Sequence, residues 1–457
     1  MKCRKSLKKI VAILSLMTLL ATSFVMPSIL GASSVFDEKT ASETVDDMGI
    51  GWNLGNTLEA CGDWINGNSV RDYETAWGNP ITTQEMIDGI KDAGFSSVRI
   101  PVAWSNLIED DYTINEELMN RVEEVVDYCS NNDMYAVVNI HWDGGWFEKF
   151  STEYDESMKK YTSIWTQISN HFKDYPHNLM FESLNEEGVW DDVWNRWSGE
   201  GDKTRAYNIL NDMNQEFVDI VRESGGNNAS RCLLIAGYAT DIDLTIDDAF
   251  RMPNDTISDR LIIKVHYYNP STFTILTEDA DWGEAAYTWG TEEEINQLVM
   301  DMEKMKKFSD NGYPVVIGEY GCYIENKDPE SVRRYISMVT QVAYDMGYCP
   351  MLWDNGTHYS RNERSFRDPE LAEIFLEYKD DSDDDTSTVL LGDINGDGNI
   401  DSTDYTLLRR HILGSTELTG DALIAADVNG DGVINSDDCV LLTRYLLEII
   451  NEFPQTN

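Results

Sequence analysis

Two glutamates, Glu186 and Glu319, each stand directly beyond a short apolar run, and 133 residues separate them in the chain. If those runs are strands ending on one rim, the two carboxyls face each other. Such a pair suits hydrolysis of a glycosidic bond, one group protonating the leaving oxygen while the other attacks or activates water. A gap of about 5 Å would give retention through a covalent glycosyl-enzyme, and a wider one inversion. Other polar residues follow apolar runs in the same way: Arg99, Asn139 with His141 and Trp142, Asn185, His266 with Tyr268, and Trp353 with Asp354. A lone His or Trp in such a place is more often a satisfied core group. Six strand ends converging on one rim make a site.

A second chemistry lies near the C-terminus, where one twelve-residue loop pattern occurs twice with starts 34 residues apart. Asp393, Asn395, Asp397 and Asp404 supply oxygens at positions 1, 3, 5 and 12 of the first loop, and Asp427, Asn429, Asp431 and Asp438 those of the second. Backbone carbonyls of Asn399 and Val433 fall at position 7, and Gly398 and Gly432 at the sharp sixth position. That is the donor pattern of a seven-coordinate calcium site. The last ligand is Asp where an EF-hand has Glu, and neither loop has the full entering helix of an EF-hand. A linker precedes the first loop and a short Thr419–Ala426 segment the second, while helices at Tyr405–Leu413 and Cys439–Ile449 follow them. A calcium sensor, which needs paired helices that open, is therefore disfavoured.

The rim residues need a scaffold, and eight apolar runs provide one: Met48–Trp52, Ser97–Val102, Tyr135–Ile140, Leu179–Leu184, Arg231–Ala236, Leu261–His266, Val315–Ile317 and Tyr348–Trp353. Segments of helical period alternate with them at Thr83–Ala93, Glu116–Asn131, Ser157–Phe172, Thr204–Glu223, Glu292–Asn311 and Ser331–Met346, with weaker signals after runs five and eight. The alternation predicts an α/β fold, a closed (β/α)8 barrel whose active site lies at the C-terminal strand ends. An open doubly wound sheet is the competing architecture, but no glycine-rich phosphate loop follows any strand. Alternation within strand four puts Glu182 on the same face as Glu186, where it can pair with Arg99 inside the barrel.

Residues 380–388 are Asp, Ser and Thr only, with nothing to bury, and read as a linker. Residues 1–32 combine Lys2, Arg4, Lys5, Lys8 and Lys9 with an apolar run at Ile10–Leu20, the layout of a secretory signal peptide. An uncleaved anchor is less suited, since the run falls short of the roughly 20 apolar residues a span requires. The expected organisation is a signal over 1–32, a barrel over 38–378, a linker over 379–389 and a calcium module over 390–452. The net charge of −47 repels nucleic acid and anionic lipid, so a neutral polymer or a calcium-dependent partner fits better. The cysteines after Cys3 form no metal-ligand spacing and no legible disulfide framework; Cys322 and Cys349 either pair or sit inert in the core. Of thirteen tryptophans, Trp104, Trp142, Trp146, Trp190, Trp194, Trp197 and Trp282 fall near the rim, about half of them expected in the core.

The segments Gly51–Thr57 (GWNLGNT), Val98–Pro101, Leu184–Glu186 and Ile317–Glu319 resemble glycoside hydrolase family 5, the retaining cellulase family, across residues 40–378. The resemblance implies a TIM barrel with Glu186 as acid/base, Glu319 as nucleophile, double displacement with retention, and no cofactor for catalysis. It also implies that Arg99 and Tyr268 hold the nucleophile, that His141 and His266 line the catalytic subsite, that Asn185 contacts the 2-hydroxyl, and that Trp353 forms a stacking floor. The activity expected is that of a secreted endo-β-1,4-glucanase. Mannan, xylan, xyloglucan and mixed-linkage glucan stay open, as does a scaffold-borne binding protein without catalysis. The chain departs from the common pattern at Glu187, where Pro is frequent, and at Trp142, where a second His is. Residues 390–450 resemble a type I dockerin, which implies two calcium ions and a cohesin domain as partner, with Ser402, Thr403, Ser436 and Asp437 at the contacting positions.

Overall fold

The computed structural model describes residues 38–379 throughout, and residues 390–453 apart from 397–398, 401, 413–417, 419–420, 431–432, 447–448 and 451–452. The expected signal peptide, the linker beyond Lys379, and the ligands Asp397 and Asp431 lie outside the described residues. The chain divides into two compact units, with the break between Tyr378 and Lys379.

In the first unit, eight strands pair in sequence order and close on themselves: β1 Gly51–Leu54, β2 Ser97–Ile100, β3 Tyr135–Asn139, β4 Leu179–Glu182, β5 Leu233–Ala236, β6 Leu261–Tyr267, β7 Val315–Tyr320 and β8 Cys349–Asp354. All eight pairings are parallel. Long helices between them are amphipathic, each burying one stripe against the outer face of the sheet, as Val122, Val125, Val126 and Cys129 do on Glu116–Ser130. The α-helices after β5 and β8 are short, Ile242–Thr245 and Pro369–Leu376, and a small antiparallel hairpin of Tyr359–Ser360 and Ser365–Phe366 precedes the latter.

Most boundaries shift by a residue or two from the sequence reading, and some of the shifts have a local cause. Met48 ends the helix Ala41–Met48 rather than opening a strand, because a reciprocal Thr40–Glu43 capping box starts that helix and Gly49, at φ 53°, ends it. The expected helix Glu292–Asn311 breaks at Met305 into Glu292–Lys304 and Lys306–Ser309. β6 runs one residue past His266 to Tyr267, and β7 runs past Ile317 through Glu319 to Tyr320, because the polar groups there are paired inside the barrel and the ladder need not stop for them.

The barrel interior has two layers. The lower layer is apolar: Val137, Met180, Leu234, Ile262, Val316 and Met351 pack with Ala41, Val45 and Met48 of the first helix. Above it the inward positions turn polar, at Asn53, Arg99, Asn139, Glu182, Lys264 and Glu319, all of them buried.

In the second unit, helices Ser402–Ile412, Asp421–Ala426 and Ser436–Leu446 enclose a small core of Ile394, Leu408, Leu418, Ala425, Ala426, Val428, Leu442 and Phe453. The two long helices begin three residues earlier than expected. The tail of each loop forms the first helical turn, where Asp404 and Asp438 meet the positive end of the helix dipole. Both aspartates are fully buried and tie their loops back on themselves: Asp404 accepts from the amides of Ile394 at 2.8 Å and Asn395 at 3.0 Å, and Asp438 from those of Asn429 at 3.3 Å and Asn435 at 2.8 Å. No helix among the described residues is long and apolar enough to cross a membrane, and the cysteines described are all free, Cys322 and Cys349 buried in the core.

Candidate active site

Arg99 organises the rim from within. Contributed by β2 and fully buried, its guanidinium grips both oxygens of Glu182 on β4, Nε and Nη2 each at 2.7 Å. Nη1 donates to Glu319 Oε1 at 2.6 Å and to Asn53 Oδ1 at 3.0 Å, and Nη2 donates to Asn185 Oδ1 at 2.8 Å. One planar fork thereby sets four side chains from β1, β4, β7 and the β4 exit. Burial pushes Glu182 upward, but Arg99 and Lys264 outweigh it and hold the carboxyl at about 2. The pairing of Glu182 with Arg99 is the one expected from strand alternation.

The direction of Glu319 comes from an irregularity in β7. Ile317 pairs with Val265 and Glu319 with His266, so Gly318 is an extra residue in the ladder, a bulge that turns Glu319 inward. The Tyr268 hydroxyl donates to Glu319 Oε2 at 3.0 Å. His266 Nδ1 lies 2.7 Å from Glu186 Oε1 and 3.7 Å from Glu319 Oε2. The nearest carboxylate oxygens of Glu186 and Glu319, with the His266 nitrogen, all lie within 4.8 Å of one another. Oxygens that close suit the retaining arrangement, in which the carboxyl groups stand about 5–5.5 Å apart, better than the wider inverting one.

The two carboxyls have different surroundings. Glu319 is 7% exposed against Arg99, whereas Glu186 is 49% exposed at the mouth of the cleft. Glu186 is pushed up to about 7, first by the partial loss of water within the cleft and then by the charge of Glu319. At Glu319 burial wins over Arg99, Lys264 and Tyr268 and this carboxyl too is raised, but the Arg99 guanidinium at 2.6 Å and the Tyr268 hydroxyl at 3.0 Å favour its ionised form, so we assign it the negative charge when the pair holds one proton. An acid that must be protonated loses its function as pH rises through its pKa. We therefore expect kcat/KM to fall above pH of about 7, and a pH–rate profile of Glu186→Ala to lack that basic limb.

Trp353 leaves the end of β8 and stacks parallel to His141, ring centroids 5.7 Å apart and planes 9° apart. Eight of the rim residues expected from sequence gather at the C-terminal mouth: Arg99, Asn185, Glu186, His266, Tyr268 and Glu319 in one hydrogen-bonded group, His141 and Trp353 beside it; Asn139 bonds Glu182, Asp354 is buried and accepts from Trp52, and Trp142 is exposed. Glu186, rather than Glu187, faces Glu319 and His266. Burial, then the charge of Glu186, pushes the neighbouring Glu187 up to about 8. Two grooves meet at Tyr268. One passes Trp353, Tyr323 and His358, and one leads from Glu186 past Val189, Arg196 and Asp241. Of the seven rim tryptophans, Trp104, Trp190 and Trp194 are buried, Trp146 is partly buried, and Trp142, Trp197 and Trp282 are exposed.

Sequence reasoning missed Lys264 and the roles of Asn53 and Asn139. Asn53 Nδ2 donates to the carbonyls of Gly318 at 2.9 Å and Met351 at 3.1 Å, and Asn139 Nδ2 to Glu182 at 3.1 Å. A lysine in the middle of the strand Leu261–Tyr267 was the readable signal, since an ammonium in a wholly buried strand needs a partner.

A closed parallel barrel bearing a facing pair of unlike carboxyls on its C-terminal rim defines a glycoside hydrolase. The chain belongs to the cellulase family, glycosyl hydrolase family 5, whose model matches residues 58–359; residues 391–447 match the type I dockerin domain. Hydrolysis in this family proceeds with retention, and the dockerin makes the protein a calcium-binding, cohesin-directed component of a cellulosome. Endoglucanase B of Clostridium cellulovorans is 34% identical over 423 residues, spanning 87% of this chain and 91% of that protein. A family 5 lichenase from Caldicellulosiruptor, solved with cellotetraose, is 34% identical with a TM-score of 0.69, over 78% of this chain and 99% of its own. A broad-specificity endoglucanase from an uncultured bovine rumen ciliate is 36% identical with a TM-score of 0.68, over 75% and 98%.

Proposed function

We propose that the barrel is an endo-β-1,4-glucanase in which Glu319 is the nucleophile and Glu186 the acid/base. The observation that carries this is the carboxylate pair itself, oxygens within 4.8 Å and only one of them held by Arg99. In the first step a Glu319 oxygen bonds to the anomeric carbon as the glycosidic bond breaks, and Glu186 gives its proton to the departing oxygen. In the second, Glu186 takes a proton from water, whose oxygen displaces Glu319 and restores the starting configuration. Asn185, fixed by Arg99, is placed to bond the 2-hydroxyl, His141 and His266 line the subsite, and Trp353 offers a flat apolar face to the pyranose. Two grooves that share Tyr268, one lined by Trp353 and the other by Glu186, give room for a chain longer than one sugar and support internal cleavage.

The assignment extends to the rest of the chain as a signal over 1–32, a catalytic barrel over 38–378, a linker over 379–389 and a dockerin over 390–452. Two calcium ions sit in the dockerin, one held by Asp393, Asn395, Asp397, Asn399 and Asp404, the other by Asp427, Asn429, Asp431, Val433 and Asp438. The donors are all oxygen, as a hard cation requires. The secreted protein binds the cohesin of a scaffold through this module and acts on β-glucan, with no nucleic acid or membrane partner.

New reducing ends from carboxymethylcellulose, lichenan, xyloglucan, glucomannan and xylan test the reading, with and without a calcium chelator. The first two polymers should be cleaved fastest. Chelation should abolish cohesin capture and unfold the dockerin, because its acidic ligands cannot stay together without the cation, while hydrolysis survives. No cleavage of any polymer by folded protein would leave a carbohydrate-binding protein instead.

A further inference from the structure

Lys264 and His266 are two residues apart on β6, so both point into the barrel. Lys264 is fully buried, and four acceptors surround its ammonium: Asn185 O at 2.7 Å, Glu182 Oε1 at 3.0 Å, Leu184 O at 3.1 Å and His266 Nε2 at 3.3 Å. An ammonium only donates. Three hydrogens cannot serve all four at once, but an N–H on Nε2 aimed at the cation would set two donors against each other, so we assign Nε2 the lone pair. Burial, followed by the charges of Lys264 and Arg99, keeps His266 neutral by pushing it well below the ordinary imidazole range. A neutral ring with a bare Nε2 carries its hydrogen on Nδ1, and Nδ1 is the atom 2.7 Å from Glu186 Oε1. That oxygen accepts from His266 whether Glu186 is ionised or not, which leaves Oε2 as the oxygen that carries the proton.

Gly318 gives this pair its room. A Cβ at that position would stand 2.7 Å from Lys264 Cδ and 3.2 Å from His266 Nε2, so the bulge that turns Glu319 inward also needs a glycine here. The titratable and charged groups facing Lys264 and His266 are Glu182 on β4, Arg99 on β2, Glu319 on β7, His141 beyond β3, and Glu186 itself.

We propose that Lys264 is a positioning residue for the hydrolysis: through His266 it holds Glu186 with Oε1 occupied and the transferable proton on Oε2, aimed at the leaving oxygen. The proposal rests on Glu186 being the acid/base.

Aryl β-cellobiosides separate this role from a merely structural one, because a dinitrophenyl leaving group departs without a proton and a phenyl group does not. Lys264→Met should lower kcat/KM for the phenyl substrate by about tenfold to a hundredfold, the low end of general-acid effects, and leave the dinitrophenyl substrate within about threefold. An equal fall on both overturns the role. Nitrogen-15 spectra of histidine-labelled wild-type enzyme, with His266 assigned by its absence in His266→Asn, should show Nδ1 protonated and Nε2 bare. Protonation at Nε2 overturns the proposal even if Lys264→Met does not fold. Glu186→Ala identifies which layer fails. A uniform fall there overturns the acid/base assignment, whereas a selective fall there with a uniform one in Lys264→Met overturns the part played by Lys264 alone.

Discussion

Glu319→Ala should fold and lose hydrolysis of β-1,4-glucan by roughly a millionfold, the scale on which removal of a nucleophile is felt when catalytic groups act as a unit. Folding should be unharmed, because burying an ionised carboxyl is costly and Arg99 still has both oxygens of Glu182 to hold. The cavity left by the side chain opens onto the cleft and admits small anions. Azide should restore turnover and yield the α-glycosyl azide by attack on the face that Glu319 occupied. In Glu186→Ala the same anion meets a glycosyl-enzyme instead and should yield the β-azide. Product stereochemistry, read by proton NMR, thus tests both roles; a β-azide from Glu319→Ala would reverse the assignment.

The largest effect on stability is expected at Arg99. Arg99→Met removes the cation shared by Glu182 and Glu319, both buried, and leaves Lys264 as their remaining cation in the polar layer. Breaking a buried ion pair from one side costs about 3–5 kcal/mol, since the orphaned charge stays desolvated. The urea midpoint should drop accordingly at unchanged m, and activity should vanish with it. In the native protein Glu182 is held at about 2, so it contributes stability above its unfolded pKa and loses that contribution only as pH falls toward 2. In the variant the folded pKa moves above the unfolded one, and the sign reverses. Lowering the pH from about 7 to about 5 should therefore restore part of the lost stability as the carboxyls protonate. A midpoint equal to that of the native protein at both pH values would mean that the fork does not hold the rim.

Local patterns were legible. The eight strands and six long helices show in hydrophobic period, and strand-end polars point to the mouth because a parallel barrel places C-terminal ends there. Short-range signals escaped where a cap competed with the apolar run, as at Thr40 and Glu43 before Met48. Lys264 escaped for a different reason. Its neighbours are apolar in sequence, and its partners, Glu182 and the carbonyls of Leu184 and Asn185, lie about 80 residues away. Glu187 shows the converse case: the sequence put a second carboxyl beside Glu186, and the fold turned only Glu186 toward Glu319 and His266.

Sequence alone determined the fold class, which depends on periodicity, and it offered the carboxyl pair and the calcium loops as candidates, through strand-end position and through the spacing of a twelve-residue repeat. Tertiary structure decided the distance between Glu186 and Glu319, the inward turn of Glu319 at the Gly318 bulge, and the proton arrangement of His266 beside Lys264. Those follow from barrel closure, which brings β2, β4, β6 and β7 to hydrogen-bonding range and makes register, not sequence spacing, set every distance in the site.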